Sequence, residues 1–600
     1  MRRSTLAAAC VVLAAAVYVV ARQPLDSPWW LYADPDASYA ASSLNLLDGE
    51  PTEFLGHPGV PEQELLATTF GAQHLWSKLS DPGAPSTRTY VDSKLANLDS
   101  TRAAFRGWAI AFFLLGALLT FAVVTSLLGH WGWGLLAGLL WTAAPDFTTG
   151  GGAMQIRPDV LLSLLSLVTV FLAVRGAQRR DGGTYLLAAL VLGVTLTVKV
   201  HAIGLLPALV LAVVLRPPRA DWPGRTRTRV AELVRRRTVQ AAVAGWLVLA
   251  VALNRNHLSF HPTHSQTWAV VMPLLVVAVW LAVALRSRSR VLDPFHPAFV
   301  AAILAGIALP MTLFLDQGFR IAGEMRDALT GGGANKGVPL FSIVWQEFNG
   351  YPLRQALLLF VFAAVATAVA LRLGRLMPVI WFVAAAVMGL MGAARLGASR
   401  YFEPAYVLSI PPTLWLFTVR RAVTVPLAAA VLAAYVLYPT FDHAGDAARA
   451  AGVDERYAAD VAAASAPLLG PTDVAIAPDY APIADVRYWA VVQNFVAHVP
   501  PRAYRFLPDY APALATATSA DERVHYYFGP AAVDFTGPGP LTLASGEWYA
   551  QGVTQAARPA FGVAELLSPP GHPEAHFDPA TGKFETPGGQ AYDVAGNPTS

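Results

Sequence analysis

Two carboxylates two residues apart, Asp34 and Asp36, lie in Asp34-Pro35-Asp36-Ala37-Ser38-Tyr39, directly after an apolar run from about Thr5 to Ala21. They open a long polar stretch that also holds Gly56-His57-Pro58-Gly59. Carboxylates held beside a membrane surface suit a general base for a reaction on a lipid-borne substrate, and they make a poor pore. Pro35 favours extended backbone at Asp34 and fixes Asp36. The structural alternative is that Asp36 caps a helix beginning near Ala37.

Four later stretches bring further charges. Asp146 and the triple glycine 150–152 precede Arg157-Pro158-Asp159. The glycines allow close backbone approach to a ligand. The structural alternative at Arg157-Pro158-Asp159 is a helix start, with proline at its first position and the acid favourable at the dipole. Lys199-Val200-His201 puts basic groups in a very apolar setting, which suits an anionic headgroup or a phosphate, or simple snorkelling. The stretch 316–354 holds Arg320, Glu324, Arg326, three consecutive glycines and Lys336, the composition of a hinged lid or equally of an ordinary disordered loop. Arg400-Tyr401-Phe402-Glu403-Pro404 opens a late apolar run, where Arg and Tyr also serve as interfacial anchors.

The elements that position these groups are membrane spans. Only 14% of the 600 residues are charged, 55% are hydrophobic, and mean hydropathy is +0.44. Soluble domains average about 25% charged. A span needs roughly 20 apolar residues. Thirteen are expected, at 4–21, 107–128, 131–146, 160–176, 184–198, 201–216, 238–253, 268–285, 296–315, 355–371, 377–394, 404–418 and 422–440. The start Met1-Arg2-Arg3 would also open a signal peptide, but the topology needs this first segment kept as a span. The one cysteine, Cys10, excludes an intramolecular disulfide.

Arginines set the orientation. With the N-terminus inside, the inner loops take Arg175, Arg179 and Arg180, then the run from Arg216 to Arg237, then Arg286 to Arg290, Arg372 and Arg375, and Arg420 and Arg421. Basic clusters on both sides of 184–216 require an even number of crossings between them. Two short spans then turn outside at Lys199-Val200-His201. The tail from about 441 is acidic, with 18 of the 40 Asp and Glu and 8 of the 43 Lys and Arg, and falls outside. Its aromatics and alternating apolar runs predict an α/β or β-rich domain over about 455–570, with the last 25 or so residues loose. The division is therefore 1–440, a transmembrane domain with a long first outer loop at 22–106, and 441–600, an extracytoplasmic domain. In the first outer loop, helices are predicted over Ser38–Leu47 and Glu62–Leu79, lying along the membrane surface. No Asp, Glu, Lys or Arg falls clearly in the middle of a span, which argues against ion-coupled transport.

In these motifs the chain resembles the GT-C superfamily of membrane glycosyltransferases. More narrowly it resembles the bacterial branch of protein O-mannosyltransferases and the lipid A aminoarabinose transferase. The family's acidic motif after the first span matches Asp34 to Tyr39, and its His-Pro element matches His57-Pro58. Its Arg-Pro-Asp/Glu element matches Arg157-Pro158-Asp159, and its lysine after a Leu/Thr-rich span matches Lys199. Its late Arg-Tyr-x-x-Pro element matches Arg400-Tyr401-Phe402-Glu403-Pro404. The chain departs in reading Asp-Pro-Asp for Asp-Glu and His-Pro-Gly for His-Pro-Pro.

The resemblance implies an inverting glycosyltransferase that moves a sugar from a polyprenyl-phosphate carrier to a glycan, lipid or protein acceptor on the extracytoplasmic face. It implies an all-α polytopic fold with Asp36 or Asp34 as general base. Lys199, Arg157, His201, Arg400 and Tyr401 would hold the donor phosphate, and His57, Asp146 and Asp159 would line the substrate site. No cofactor is required by it; a divalent cation, Mg or Mn, is the one candidate, through carboxylate oxygens. Membrane lipids are partners and nucleic acid is not. Composition fits a bacterial inner (plasma) membrane. A lipid-linked glycan flippase or polymerase and a non-enzymatic envelope scaffold remain as rival readings.

Overall fold

A computed structural model describes residues 3–21, 33–48, 59–81, 83–96, 98–144, 156–219, 221–253, 279, 296–313, 351–395, 402–419, 474–478, 503–507, 525–530, 548–550, 553–555, 561–565, 576–578, 583–592 and 598–599. The chain divides into two compact units. One comprises Met1–Gln23, Ser38–Leu95 and Ala103–Gly445; the other comprises Pro24–Ala37, Ala96–Arg102 and Asp446–Ser600.

The first unit is helical. In chain order its helices are α1 (Arg3–Ala21), α2 (Ala33–Asp48, whose first turns belong to the other unit), α3 (Val60–Ser80), α4 (Thr87–Ala96), α5 (Arg102–Leu128), α6 (Trp131–Thr142), α7 (Pro158–Arg179) and α8 (Gly182–Val198). A 3-10 segment at Val200–Leu205 leads into α9 (Leu206–Leu215), α10 (Trp222–Arg235) and α11 (Arg237–Leu253). Then come α12 (Pro297–Met311), α13 (Tyr351–Arg372), α14 (Leu376–Arg395) and α15 (Glu403–Val419). Among the described residues, α1, α5 and α7 are long and apolar enough to cross a membrane, and six further apolar helices are shorter. The expected span 422–440, the expected span 268–285 apart from residue 279, and the lid stretch 316–354 up to residue 350 lie outside the described residues, while 351–354 begin α13.

The region 184–216 is an antiparallel hairpin. The Tyr185 hydroxyl near the start of α8 donates to the carbonyls of Ala212 and Arg216 at the end of α9, at 2.9 and 2.8 Å. Arg180 Nε donates to Pro217 O at 3.0 Å. The basic residues Arg180 and Arg216 therefore share one end of the bundle, and the chain reverses at the other end, at Lys199. There the helix stops because Lys199 is extended (φ −160, ψ 133). Arg175 joins the basic end through the Ser126 carbonyl near the end of α5.

Two features lock the hairpin in place. Gly193 of α8 faces Gly306 of α12. A Cβ on Gly193 would collide with the Ile303 carbonyl, and one on Gly306 with the Leu190 carbonyl. Only glycine at both positions lets the two backbones approach this closely. α12 then ends, through Met311 and Leu313, against Leu46, Val60 and Ala67 of α2 and α3.

Two expectations need correcting. α2 starts at Ala33, not near Ala37, so Asp36 lies within the helix and is not its cap, and Asp34 is helical, not extended. The helix tolerates Pro35 because the first-turn N–H groups have no intrahelical acceptor. α3 does not simply lie on a surface: Val60, Glu62, Leu66, Phe70 and His74 form a buried face. Its exposed apolar residues, Leu75, Trp76 and Leu79, cluster at its C-terminal end.

In the second unit, β1 (Val474–Pro478) pairs in parallel with β2 (Ala503–Leu507) and with β3 (His525–Pro530). β4 (Trp548–Ala550) and β5 (Val553–Gln555) form a two-stranded antiparallel pair, and β6 (Phe561–Glu565) lies antiparallel to β3. The sheet order is β2-β1-β3-β6. Parallel neighbours require crossovers, and these run through residues outside the described set. β7 (His576–Asp578), β8 (Lys583–Glu585), β9 (Ala591–Tyr592) and β10 (Pro598–Thr599) form a separate antiparallel sheet. The expectation of a loose last stretch is thus overturned. The Phe577 and Phe584 pair and the Phe584 and Tyr592 pair join neighbouring strands across that sheet.

Adding one methyl at the helix crossing tests the packing. Gly193→Ala should destabilise the protein by about 1–3 kcal/mol, the usual cost of overpacking. Chemical denaturation in micelles with a two-state fit would measure it, and an unchanged midpoint would show that the crossing is looser than described.

Candidate active site

The end of the bundle opposite the arginines gathers the chemistry. Pro158 occupies the first turn of α7, as its sequence predicts, with Arg157 at the N-cap position (φ −96, ψ 138). Asp159 therefore sits where a carboxylate is favoured by the helix dipole. It also does something the helix start alone would not require. Lys199 Nζ donates to Asp159 Oδ1 at 2.6 Å, and both side chains are only 4% exposed.

The pair is held from three directions. Lys199 N–H donates to Thr195 O at 3.1 Å, and Lys199 O accepts from Ala202 N–H at 3.0 Å, which fixes the turn. Gly59 N–H donates to Val198 O at 3.1 Å, which ties the start of α3 to the residue before Lys199. Gly59 is left-handed (φ 37), and a Cβ there would collide with the Tyr39 ring of α2. The Gly56-His57-Pro58-Gly59 stretch thus departs from His-Pro-Pro at a position that only glycine fills. Buried His201 lies in the same turn.

α15 reaches the same end. The Tyr406 hydroxyl donates to Leu140 O at 2.9 Å, so the start of α15 abuts the end of α6. Glu403 at that start is buried. The structure therefore brings Asp159 and Lys199 together, with Arg157 and His201 two residues from them along the chain. Asp34 and Asp36 are placed by their backbone only, at the start of α2. His57, Asp146, Arg400 and Tyr401 lie outside the described residues.

The sequence reading missed Glu62 and Glu64. Both are buried on α3, with Glu62 fully so. Burial pushes the Glu62 carboxyl up to about 8; its own backbone N–H lowers it, nearby Asp159 raises it further, and Lys199 lowers it. Burial, with Glu62 beside it, also holds Glu64 well above the usual carboxylate range. Neither oxygen of Glu62 meets a hydrogen-bond partner from another described residue. The helical spacing held a signal: Glu62, Leu66, Phe70 and His74 recur every fourth residue, a stripe whose other members are apolar or aromatic.

Among the described residues no group of three or more His, Cys, Asp or Glu is arranged to hold a metal. Asp159 already has its charge met by the Lys199 ammonium.

The known proteins can now be set beside this geometry. Residues 94–234 match the family described as Dolichyl-phosphate-mannose-protein mannosyltransferase. The matched stretch contains Arg157, Asp159, Lys199 and His201 and begins after Asp34, Asp36 and Glu62. The resemblance to GT-C glycosyltransferases is carried by this match as well as by the order of the motifs. No curated protein matches the chain.

Among solved structures, one similar to this chain is the Archaeoglobus fulgidus oligosaccharyltransferase in complex with Zn and sulfate. It shares 12% identity at a TM-score of 0.45, over 86% of this chain and 67% of that one. Another is ArnT from Cupriavidus metallidurans in the apo state, with 13% identity, a TM-score of 0.30, and 94% and 97% coverage. Likenesses this distant carry no argument about the reaction.

Two outcomes follow from the buried groups. Lys199→Met takes the ammonium away from a buried carboxylate and should cost about 3–5 kcal/mol, and Lys199→Met with Asp159→Leu should recover most of that. A double-mutant cycle on denaturation midpoints measures the coupling, and additive losses would mean the pair is not a unit. Glu62 gives a pH effect. Its carboxyl stays protonated in the folded chain up to about pH 8, while an unfolded one ionises near 4.5. Its contribution to stability is complete below about 4.5 and is lost as pH rises through about 8. Unfolding temperature should drop across that window, and Glu62→Gln should flatten the drop; a Glu62→Gln curve parallel to wild type would contradict this.

Proposed function

We propose that the chain is an integral membrane glycosyltransferase that transfers a sugar from a polyprenyl-phosphate carrier to an acceptor on the extracytoplasmic face, with inversion. One observation carries this reading. A buried lysine–carboxylate pair sits at the end of the bundle away from the arginine clusters, inside the stretch that matches the mannosyltransferase family. The reading takes that end as extracytoplasmic, the bundle as thirteen crossings with the N-terminus inside, and the tail from 441 as an outer domain that holds or selects the acceptor.

The chemistry assigned to the residues is a single displacement. The acceptor hydroxyl oxygen attacks the anomeric carbon, a new C–O bond forms on the opposite face, and the bond to the carrier phosphate breaks. Asp36, or Asp34, takes the hydroxyl proton. The bond electrons leave with the phosphate, whose added negative charge needs fixed cations. Lys199 supplies one, with Arg157, His201, Arg400 and Tyr401 as the remaining phosphate-binding groups. An ammonium has three donors, and Asp159 engages one of them. Asp159 thereby aims the lysine. His57 and Asp146 are assigned to the sugar or the acceptor.

The test is mass spectrometry of a polyprenyl-phosphate-sugar panel incubated with protein in lipid and an envelope extract as acceptor. Wild type should consume one donor. Asp34→Asn with Asp36→Asn should slow consumption by about 10²–10⁴-fold, the usual contribution of a general base. Lys199→Ala should slow it by about 10²–10³-fold. Consumption of a diphosphate-linked donor only would replace this reading with that of a polymerase. Full activity in the Asp double variant would remove the assigned base.

A further inference from the structure

Glu62 has no role in the displacement above, yet it is fully buried and interacts electrostatically with both members of the Lys199–Asp159 pair. Burying a carboxyl with no hydrogen-bond partner costs free energy that a leucine at the same position would not incur. The position on α3 is an ordinary core position, since Leu66 and Phe70 continue the same buried stripe. A carboxyl kept there beside a buried lysine and a buried aspartate points to use of its proton.

We propose that Glu62 is the third member of the Lys199–Asp159 cluster and gates its charge. With its proton in place the cluster accepts a singly charged phosphate diester; once ionised, it repels one. The inference rests on the phosphate-carrier reading and deepens it by adding a positioning residue.

The charge count supports this. The lysine and the aspartate cancel. With Glu62 neutral the three groups carry no net charge between them, leaving the positive charge of Arg157, two residues before Asp159, unopposed by Glu62, and the Glu62 O–H remains a donor. With Glu62 ionised the cluster is net negative, in an interior where Coulomb repulsion is weakly screened. Burial is the largest influence keeping Glu62 protonated at neutral pH, and Asp159 adds to it. The groups that act on it are Asp159 from α7 and Lys199 from the turn, with Glu64 two residues along α3, a carboxyl that burial likewise raises, and His201 two residues beyond Lys199. The helices α8 and α12, which pack on α3, contain no Asp, Glu, Lys or Arg. At the far end of α3, Asp48 of α2 pairs with Arg88 of α4 at 3.1 Å, and α5 carries the buried Arg106.

A phosphate diester is the right ligand for the test, because its single charge stays fixed from mildly acidic to alkaline pH. Binding of a short isoprenyl methyl phosphate diester to the full-length protein in nanodiscs would be measured from about pH 6.5 to about pH 9.5. Wild-type Kd should rise roughly ten- to thirtyfold across that range, following loss of one proton. Glu62→Gln should bind with a Kd that is flat over the same range, and Glu62→Asp should restore a pH-dependent profile. A wild-type Kd that stays flat while the diester binds overturns the gate and leaves the donor reading intact. A Glu62→Gln profile that rises like wild type moves the effect to another group and equally overturns it. No binding at any pH overturns the carrier reading, and the gate with it. If Glu62→Gln does not fold, the wild-type and Glu62→Asp profiles still decide.

Discussion

A single buried ion pair organises the first unit. Lys199 and Asp159 are 40 residues apart in sequence and 2.6 Å apart in space, and each meets an opposite charge in the buried site. Once paired, they fix how the start of α7 meets the end of α8. The Tyr185 hydroxyl does the matching task at the opposite end, where it satisfies two carbonyls of α9. The hairpin is thus pinned at both ends, and the glycine crossing with α12 pins its middle. Each contact is local, but together they keep the buried lysine–aspartate pair at one end and Arg175, Arg180 and Arg216 at the other.

The burial pattern around this pair shows what the fold tolerates there. Asp159, Lys199, His201 and Glu62 are all buried at or beside helix ends. Interiors retain such groups at a cost in stability, so their concentration at one end of the bundle is more readily explained by chemistry than by packing. The apolar side chains of α7, α8 and α15 form one continuous core behind them. Burial is the largest influence that raises the Glu62 carboxyl.

Much of the frame was legible in the sequence. Apolar runs marked the helices, proline marked the start of α7, and the arginine clusters on either side of 184–216 required a reversal near Lys199. These signals are local or follow from counting crossings. The rest depends on tertiary contacts. Nothing near Asp159 indicates that its partner is Lys199, because that pairing arises only when two helices dock. Glu62 was passed over because glutamate on a loop helix is ordinarily solvated, and its burial is decided by α8 and α12, more than a hundred residues away. The start of α2 was misplaced because a proline in the first turn of a helix looks the same as one that precedes it. The sheet formed by β7 to β10 was hidden by a composition rich in Pro, Gly and Asp, which serves tight turns as readily as loose tails.

The seat of Gly59 has an evolutionary consequence. Its N–H is tied to Val198, its missing side chain is covered by Tyr39, and Leu47 of α2 meets Gly71 of α3 a few turns on. Drift at position 59 is thus barred, because any side chain there would press on the Tyr39 ring and pull the start of α3 away from the turn that carries Lys199.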